Sequence, residues 1–203
     1  VPAFYTVSLS ADSIGYKGMV LPSRLPQLYP DLQRPELESS VVVFHQRFST
    51  NTSSRWSLAQ PFRMLAHNGE INTIAGNRAW AQARAHVWRS EHLDPREFDP
   101  VIETDGSDSQ SLDAMLDLLE AGGMDALKAM RILVPPATQS LEYKDADLAA
   151  FYEYYALNSE PWDGPAGIVL FDGRYAACTL DRNGLRPARW QLTKDRHFLI
   201  ASE

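Results

Sequence analysis

An α+β fold, with antiparallel sheets covered by helices, is predicted by three features of this 203-residue chain. "AGIVLFDGRYAACTLD" places two apolar runs around Asp172-Gly173, the signature of a type I′ hairpin. "SDSQSLDAMLDLLEAGG" combines a helix start at Ser107, an apolar stripe and a double-glycine stop. In chain order, strand-like segments come first, helices follow and strands close. That order suits antiparallel sheets with segregated helices rather than a doubly wound parallel sheet.

The elements follow in sequence. Residues 20–38 hold four prolines and read as an extended surface crossing, because proline resists helix interiors and cannot donate to a ladder. "VVVFHQRF", 41–48, is β-branched and aromatic and predicts a strand. "FRMLAHN", 62–68, predicts a second. A helix is expected over 73–89, with Trp80, Ala83, Val87 and Trp88 on its apolar face. Ser107 and Gln110 have capping-box spacing for the next helix, and its stripe is Leu112, Met115, Leu116 and Leu119. Short helices are expected over 124–133 and 145–157. The hairpin around Asp172-Gly173 comes next, and "RPARWQLT" and "HFLIA" continue the strands.

Composition narrows the function. A hydrophobic share of 44% supports a core, and a net charge of −7 disfavours nucleic acid as the main partner. No apolar run approaches the roughly 20 residues of a membrane span, and the first residues lack a signal-peptide pattern. The one cysteine, Cys178, excludes an internal disulfide framework or a CxxC metal site and fits a reducing cytoplasm. The five histidines show no HxH or HExxH spacing, which argues against a metal hydrolase.

Three short stretches can carry chemistry. On a strand over 41–48, Val41, Val43, His45 and Arg47 share one face. A guanidinium there needs a carboxylate, from this protein or from a ligand, and Arg grips carboxylates with two parallel bonds. "AHNGE" sets the Asn68 amide beside the Gly69 N–H; it is either a plain turn or a pair of donors suited to an oxyanion. "TDGSDSQS" puts Asp108 in a first helical turn, where an acid complements the helix dipole or receives an ammonium group. Taken together, one Arg, one Asp and two neutral donors describe a pocket for a free amino acid whose side-chain amide is attacked.

"FHQRFSTNTSSRWSLAQPFRMLAHNGEINTIAGNR", "TDGSDSQSLD", "EPWDGPAGIVLFDGRYAACTLDRNGLRPARW" and "YTVSLSADSIGYKGMV" resemble the N-terminal amidotransferase domain of the glutamate synthase large subunit, bacterial NADPH type. The broader class II glutamine amidotransferase pattern reduces to Arg47, Asn68-Gly69 and Asp108. The resemblance implies an N-terminal-nucleophile hydrolase fold, a four-layer αββα sandwich. It implies that Arg47 holds the glutamine carboxylate and Asp108 its ammonium. Asn68 and Gly69 would form the oxyanion hole, and Thr50 and His67 would help bind substrate. It also implies glutamine hydrolysis to glutamate and ammonia, with the ammonia used for reductive amination of 2-oxoglutarate. FMN, an iron–sulfur cluster, and FAD with NADPH on a small flavoprotein subunit would belong to the remaining synthase domains and the partner.

Members of this family attack with an N-terminal Cys whose own α-amino group is the base. This chain starts with Val1, and "YTVSLSADSIGYKG" resembles an internal segment. The expectation is that residues 1–203 are part of one amidotransferase domain. The nucleophile would lie upstream and the synthase domains downstream, and the piece alone would be inactive. Cys178, inside a hairpin strand without a free amine, is not expected to substitute. The alternative reading is a non-catalytic glutamine-binding regulatory module.

Overall fold

The computed structural model describes residues 6–48, 52–98, 100–137 and 145–202. Its centre is a three-stranded antiparallel sheet in the order β1-β2-β3, built from Leu65–Gly69, Ala166–Phe171 and Ala176–Leu180. A separate antiparallel hairpin joins β4 (Arg189–Leu192) to β5 (Phe198–Ala201). Helices α3 (Asp108–Ala121) and α4 (Ala126–Leu133) share one core with β1 and β2. That core holds Leu65, Ile168, Leu170, Leu112, Leu116, Met130 and Trp162, each at most 2% exposed. The architecture is α+β with antiparallel pairing, as expected.

The faces of the sheet are set by period two. Leu65 pairs with Leu170 and His67 with Ile168, and this face meets α3. Ala66 pairs with Val169 and Asn68 with Gly167, and this face meets the end of the β4–β5 hairpin. A Cβ on Gly167 would come within 2.8 Å of the Ser202 Cβ, so hairpin and sheet are in close contact there.

Several sequence expectations are corrected. The crossing at 20–38 is a surface segment but not an extended one. It forms helical turns at Pro22–Arg24, α1 (Leu25–Leu28) and Pro30–Gln33. Prolines stand at N1 or N2 in all three, where a missing N–H costs nothing and the fixed φ favours the turn.

No strand forms over 41–48, and Val42 and Phe44 are 73% and 79% exposed. The open edge of β1, where such a strand could pair, is occupied by side chains, as described below.

Helix α2 covers Ile74–Arg84, shorter than expected; of the expected stripe, Trp80 is 51% exposed, Val87 lies past the helix end and is 55% exposed, and Trp88, also past it, packs against the core. Polar bonds orient this helix instead. Asn77 is buried, donates to the Pro161 carbonyl at 3.1 Å and accepts from the Thr73 hydroxyl at 2.7 Å. Arg84 pairs with Glu160 and stacks over Trp80.

The cap of α3 is half a capping box. Ser107 Oγ accepts from the Gln110 N–H at 3.0 Å, but Gln110 Oε1 has no partner. The β2–β3 turn is not type I′, since of its central residues only Gly173 has positive φ, +95°. The Asp172 carboxylate tightens it by accepting from the N–H groups of Arg174 and Tyr175. α5 spans Ala146–Ala156, close to the expected 145–157.

Candidate functional site

Strand β1 ends at "AHNGE", and its two edges differ. Toward β2, Phe171 N–H donates to the Met64 carbonyl at 2.8 Å and Glu70 N–H to the Pro165 carbonyl at 2.9 Å. An antiparallel ladder bonds every second residue. With Ala66 opposite Val169 and Asn68 opposite Gly167, the even-numbered residues of β1 therefore bond to β2. Leu65, His67 and Gly69 turn their backbone groups to the other edge.

That other edge is covered by side chains, apart from the Phe62 N–H, which donates to the Leu65 carbonyl at 2.9 Å. Asp113 Oδ1 accepts Leu65 N–H at 2.9 Å. Gln60 Oε1 accepts His67 N–H at 2.6 Å, and Gln60 Nε2 donates to the His67 carbonyl at 3.1 Å. The next amide along this edge is that of Gly69, at the exposed end of the strand. Gly69 has φ +148°, and a Cβ would stand 1.8 Å from the Pro165 carbonyl oxygen, so only glycine fits. Beside it, the Asn68 amide donates to Ser202 Oγ at 3.0 Å, which leaves its second N–H uncommitted.

Asp108 is the first residue of α3. Its Oδ2 accepts from Ile71 N–H at 2.7 Å and its Oδ1 from Ser109 N–H at 2.8 Å. The carboxylate therefore joins the helix start to the turn that follows β1. His67 ties the same two elements. Its Nδ1 shares a hydrogen bond with Ser109 Oγ at 2.7 Å and lies 4.0 Å from Asp108 Oδ2. Burial lowers the His67 pKa below the usual histidine value; the Asp108 charge opposes this, and His45 and Arg186 reinforce it. His67 Nε2 is buried, and among the described residues no hydrogen bond of ordinary length and angle reaches it.

His67 and Asp108 are thus brought together where β1 meets α3, whereas the Asn68 side chain lies on the opposite face of the sheet against Ser202, with the Gly69 amide on the open edge beside it. Arg47 is not brought into this cluster. It is exposed, its N–H donates to His45 Nδ1 at 3.1 Å, and among the described residues no carboxylate pairs with its guanidinium. His45 lies closer to the cluster; burial lowers its pKa, against hydrogen bonds with the His67 and Arg47 backbone. Thr50 lies outside the described residues.

Sequence reasoning missed the residues that hold the cluster in place. Arg78 on α2 donates to the Thr104 carbonyl at 2.9 Å, the Gly106 carbonyl at 2.6 Å, the Ser107 carbonyl at 3.1 Å and Ser111 Oγ at 3.0 Å. It fixes the loop that presents Asp108. Asp113 and Gln60 perform the same service for β1. A polar residue that turns inward carries no hydrophobic-periodicity signal, so none of the three stands out in the sequence.

Cys178 sits across the sheet, in the register Ala66, Val169, Cys178. Two strand spacings put it about 10 Å from β1. Burial raises its thiol pKa, which favours the unreactive protonated form. Among the described residues no group of three or more His, Cys, Asp or Glu is placed to hold a metal ion, and no helix is long and apolar enough to cross a membrane.

The sequence compares closely with known proteins. It is 47% identical to the ferredoxin-dependent glutamate synthase of Pyropia yezoensis over 204 residues, covering 98% of this chain and 13% of that protein. It is 45% identical to the glutamate synthase [NADPH] large chain of Azospirillum brasilense over 204 residues, again 98% of this chain and 13% of the relative. For the glutamate synthase [NADH] of Saccharomyces cerevisiae the identity is 45% over 205 residues, 98% of this chain and 9% of that protein. The chain therefore spans only about a tenth of these relatives. The family model for class-II glutamine amidotransferases matches residues 2–203. This chain belongs to the class-II glutamine amidotransferases.

Proposed function

We propose that this chain is the glutamine-binding and oxyanion-hole part of the glutaminase domain of a glutamate synthase. The observation that supports the reading is the end of β1, where the Gly69 amide lies on the open edge, the Asn68 amide keeps a second N–H beside it, and the following turn is tied through Ile71 N–H to the Asp108 carboxylate. In this reading Asp108 receives the glutamine ammonium and Arg47 its carboxylate. A thiolate attacks the side-chain amide carbon, and the oxygen takes negative charge. Asn68 Nδ2 and Gly69 N–H donate to that oxygen, which lowers the barrier most where charge develops. The base that took the thiol's proton gives it to the leaving nitrogen, so collapse releases ammonia and leaves a thioester; water then cleaves the thioester, one of its protons returning to sulfur, to give glutamate and the free thiol.

The attacking thiol is not Cys178, which is remote and kept protonated by burial. We assign attack to a cysteine outside these 203 residues, so this chain alone is expected not to turn glutamine over. Measurable glutaminase activity from it would overturn that assignment.

In the intact protein the released ammonia would aminate 2-oxoglutarate reductively. FMN and an iron–sulfur cluster in the other synthase domains would serve that step, with FAD and NADPH on a small flavoprotein subunit. One cysteine cannot supply the thiolates that a cluster needs, so no step of that chemistry runs through this chain.

Two variants of the intact protein test the reading. Asn68→Ala should lower glutamine-dependent kcat by roughly 10²–10³. An effect confined to KM would remove Asn68 from the oxyanion hole. Arg47→Lys should impair glutamine use while ammonia-dependent glutamate formation survives, since Lys lacks the two-pronged contact. Equal loss of both activities would count against the substrate role. Glutamine binding with no turnover in the intact protein would favour a regulatory module.

A further inference from the structure

We propose that Gln60 is a positioning residue for glutamine turnover. Its side-chain amide replaces a neighbouring strand at His67 and thereby sets the direction of the Gly69 N–H two residues on. This rests on the reading of Gly69 as an oxyanion donor.

In an antiparallel sheet, a hydrogen-bonded residue pair exchanges both backbone bonds, N–H to C=O and C=O to N–H. Gln60 makes both bonds to His67 from one side chain, at 2.6 and 3.1 Å. On the opposite edge, β2 supports the residues before and after. His67 is thus held on one edge by a side chain and its neighbours on the other by a strand. The Gly69 N–H lies in the planar peptide it shares with the Asn68 carbonyl, so its direction follows from how β1 is held on both edges just before it. The last anchor before it on its own edge is the Gln60 pair. An oxyanion donor needs a fixed direction, because a misplacement of about 1 Å can cost up to about 10²-fold in rate.

The same edge shows why a side chain performs this task. Asp113 closes the edge at Leu65 and Gln60 closes it at His67, so the series of side-chain caps ends one step before Gly69. A full neighbouring strand would continue and bond the Gly69 amide. Two side-chain caps cover the edge as far as His67 and stop short of the amide that the substrate requires.

The test is made in the intact protein with Gln60→Ala, Gln60→Glu and Asn68→Ala, singly, and with Gln60→Ala and Asn68→Ala combined. Gln60→Ala should lower glutamine-dependent kcat about 10-fold or more, with KM and ammonia-dependent glutamate formation little changed, and should lower the thermal midpoint moderately because the N–H and carbonyl of buried His67 lose their partner. Gln60→Glu keeps an acceptor for His67 N–H but turns an acceptor on the His67 carbonyl, so it should also lose kcat. The double variant should lose less than the product of the single losses, because both residues act through one oxygen site. Full kcat in Gln60→Ala beside a reduced kcat in Asn68→Ala overturns the positioning role alone. A kcat loss in Gln60→Ala with none in Asn68→Ala overturns the oxyanion reading and this proposal with it. Parallel loss of glutamine-dependent activity, ammonia-dependent activity and thermal midpoint makes Gln60 merely structural and also overturns it.

Discussion

Asp108 and Arg47 are assigned to the two ends of one substrate, yet they sit in opposite kinds of surroundings. Asp108 opens a 14-residue helix, and both of its carboxylate oxygens already accept backbone N–H groups. Around it, His67, Ser109, Arg78 and Gln60 form a network tied to the buried core. Arg47 lies on a segment with no ladder partner, exposed, next to an equally exposed Phe44. In the proposed reading, the ammonium side of the site is thus held by the fold in advance, whereas the carboxylate side is carried by a surface segment. A group that serves both packing and binding is held by the fold before substrate arrives. A group that serves binding alone can be left at the surface, where its charge stays solvated at little cost.

The contrast makes graded predictions, to be read from unfolding followed in the intact protein. Gly69→Ala should have the largest effect. The added Cβ meets the Pro165 carbonyl and the positive φ is strained, so a loss of about 3–5 kcal/mol is expected along with loss of glutamine turnover. A near-normal thermal midpoint would mean that this end of β1 is far looser than described.

Asp108→Ala should come next, at about 1–3 kcal/mol, because it leaves the N–H of buried Ile71 without its acceptor. An unchanged stability would place Asp108 with Arg47 rather than opposite to it.

Asp113 gives a smaller, pH-dependent effect. Burial raises its pKa from 3.8 to about 6; three backbone N–H bonds oppose the shift and the Asp117 charge adds to it. Between pH 3.8 and about 6 the folded state binds the extra proton, so this group makes stability rise as pH falls through that window. Asp113→Asn cannot titrate. Relative to it, the parent protein should gain about 1 kcal/mol between pH 7 and pH 5. A constant difference across that range would show that Asp113 is ionised throughout.

Arg47→Ala should be the smallest, within about 0.5 kcal/mol, as for surface substitutions without structural partners. A loss above about 1 kcal/mol would reveal a folded-state partner for Arg47 and would end the contrast.

The regions most legible in the sequence are those governed by local rules. The α3 boundaries followed from Ser107 and Gly122-Gly123, and its stripe is buried at Leu112, Met115 and Leu116. Asn68-Gly69 and Asp108 were visible as candidates because their residue types suit the chemistry. Two elements were misread for one reason. On α2 the apolar residue Trp80 faces outward and the helix stops before Val87, and in 41–48 a strong β composition makes no strand. In both, polar side chains had already taken the backbone or the packing face. Asn77 and Arg84 orient α2, while Gln60 and Asp113 occupy the edge of β1.

The sequence alone determined the α+β class, the β2–β3 hairpin, the start and stop of α3 and the family, since each rests on residue identity and short spacing. Only the tertiary structure decided that β1 carries side-chain caps on one edge, that Arg78 clamps the approach to Asp108, and that Asp108 and His67 are joined through Ser109. These are hydrogen bonds between residues far apart in the chain. Their free energy depends on direction and burial, which no local pattern of residues specifies.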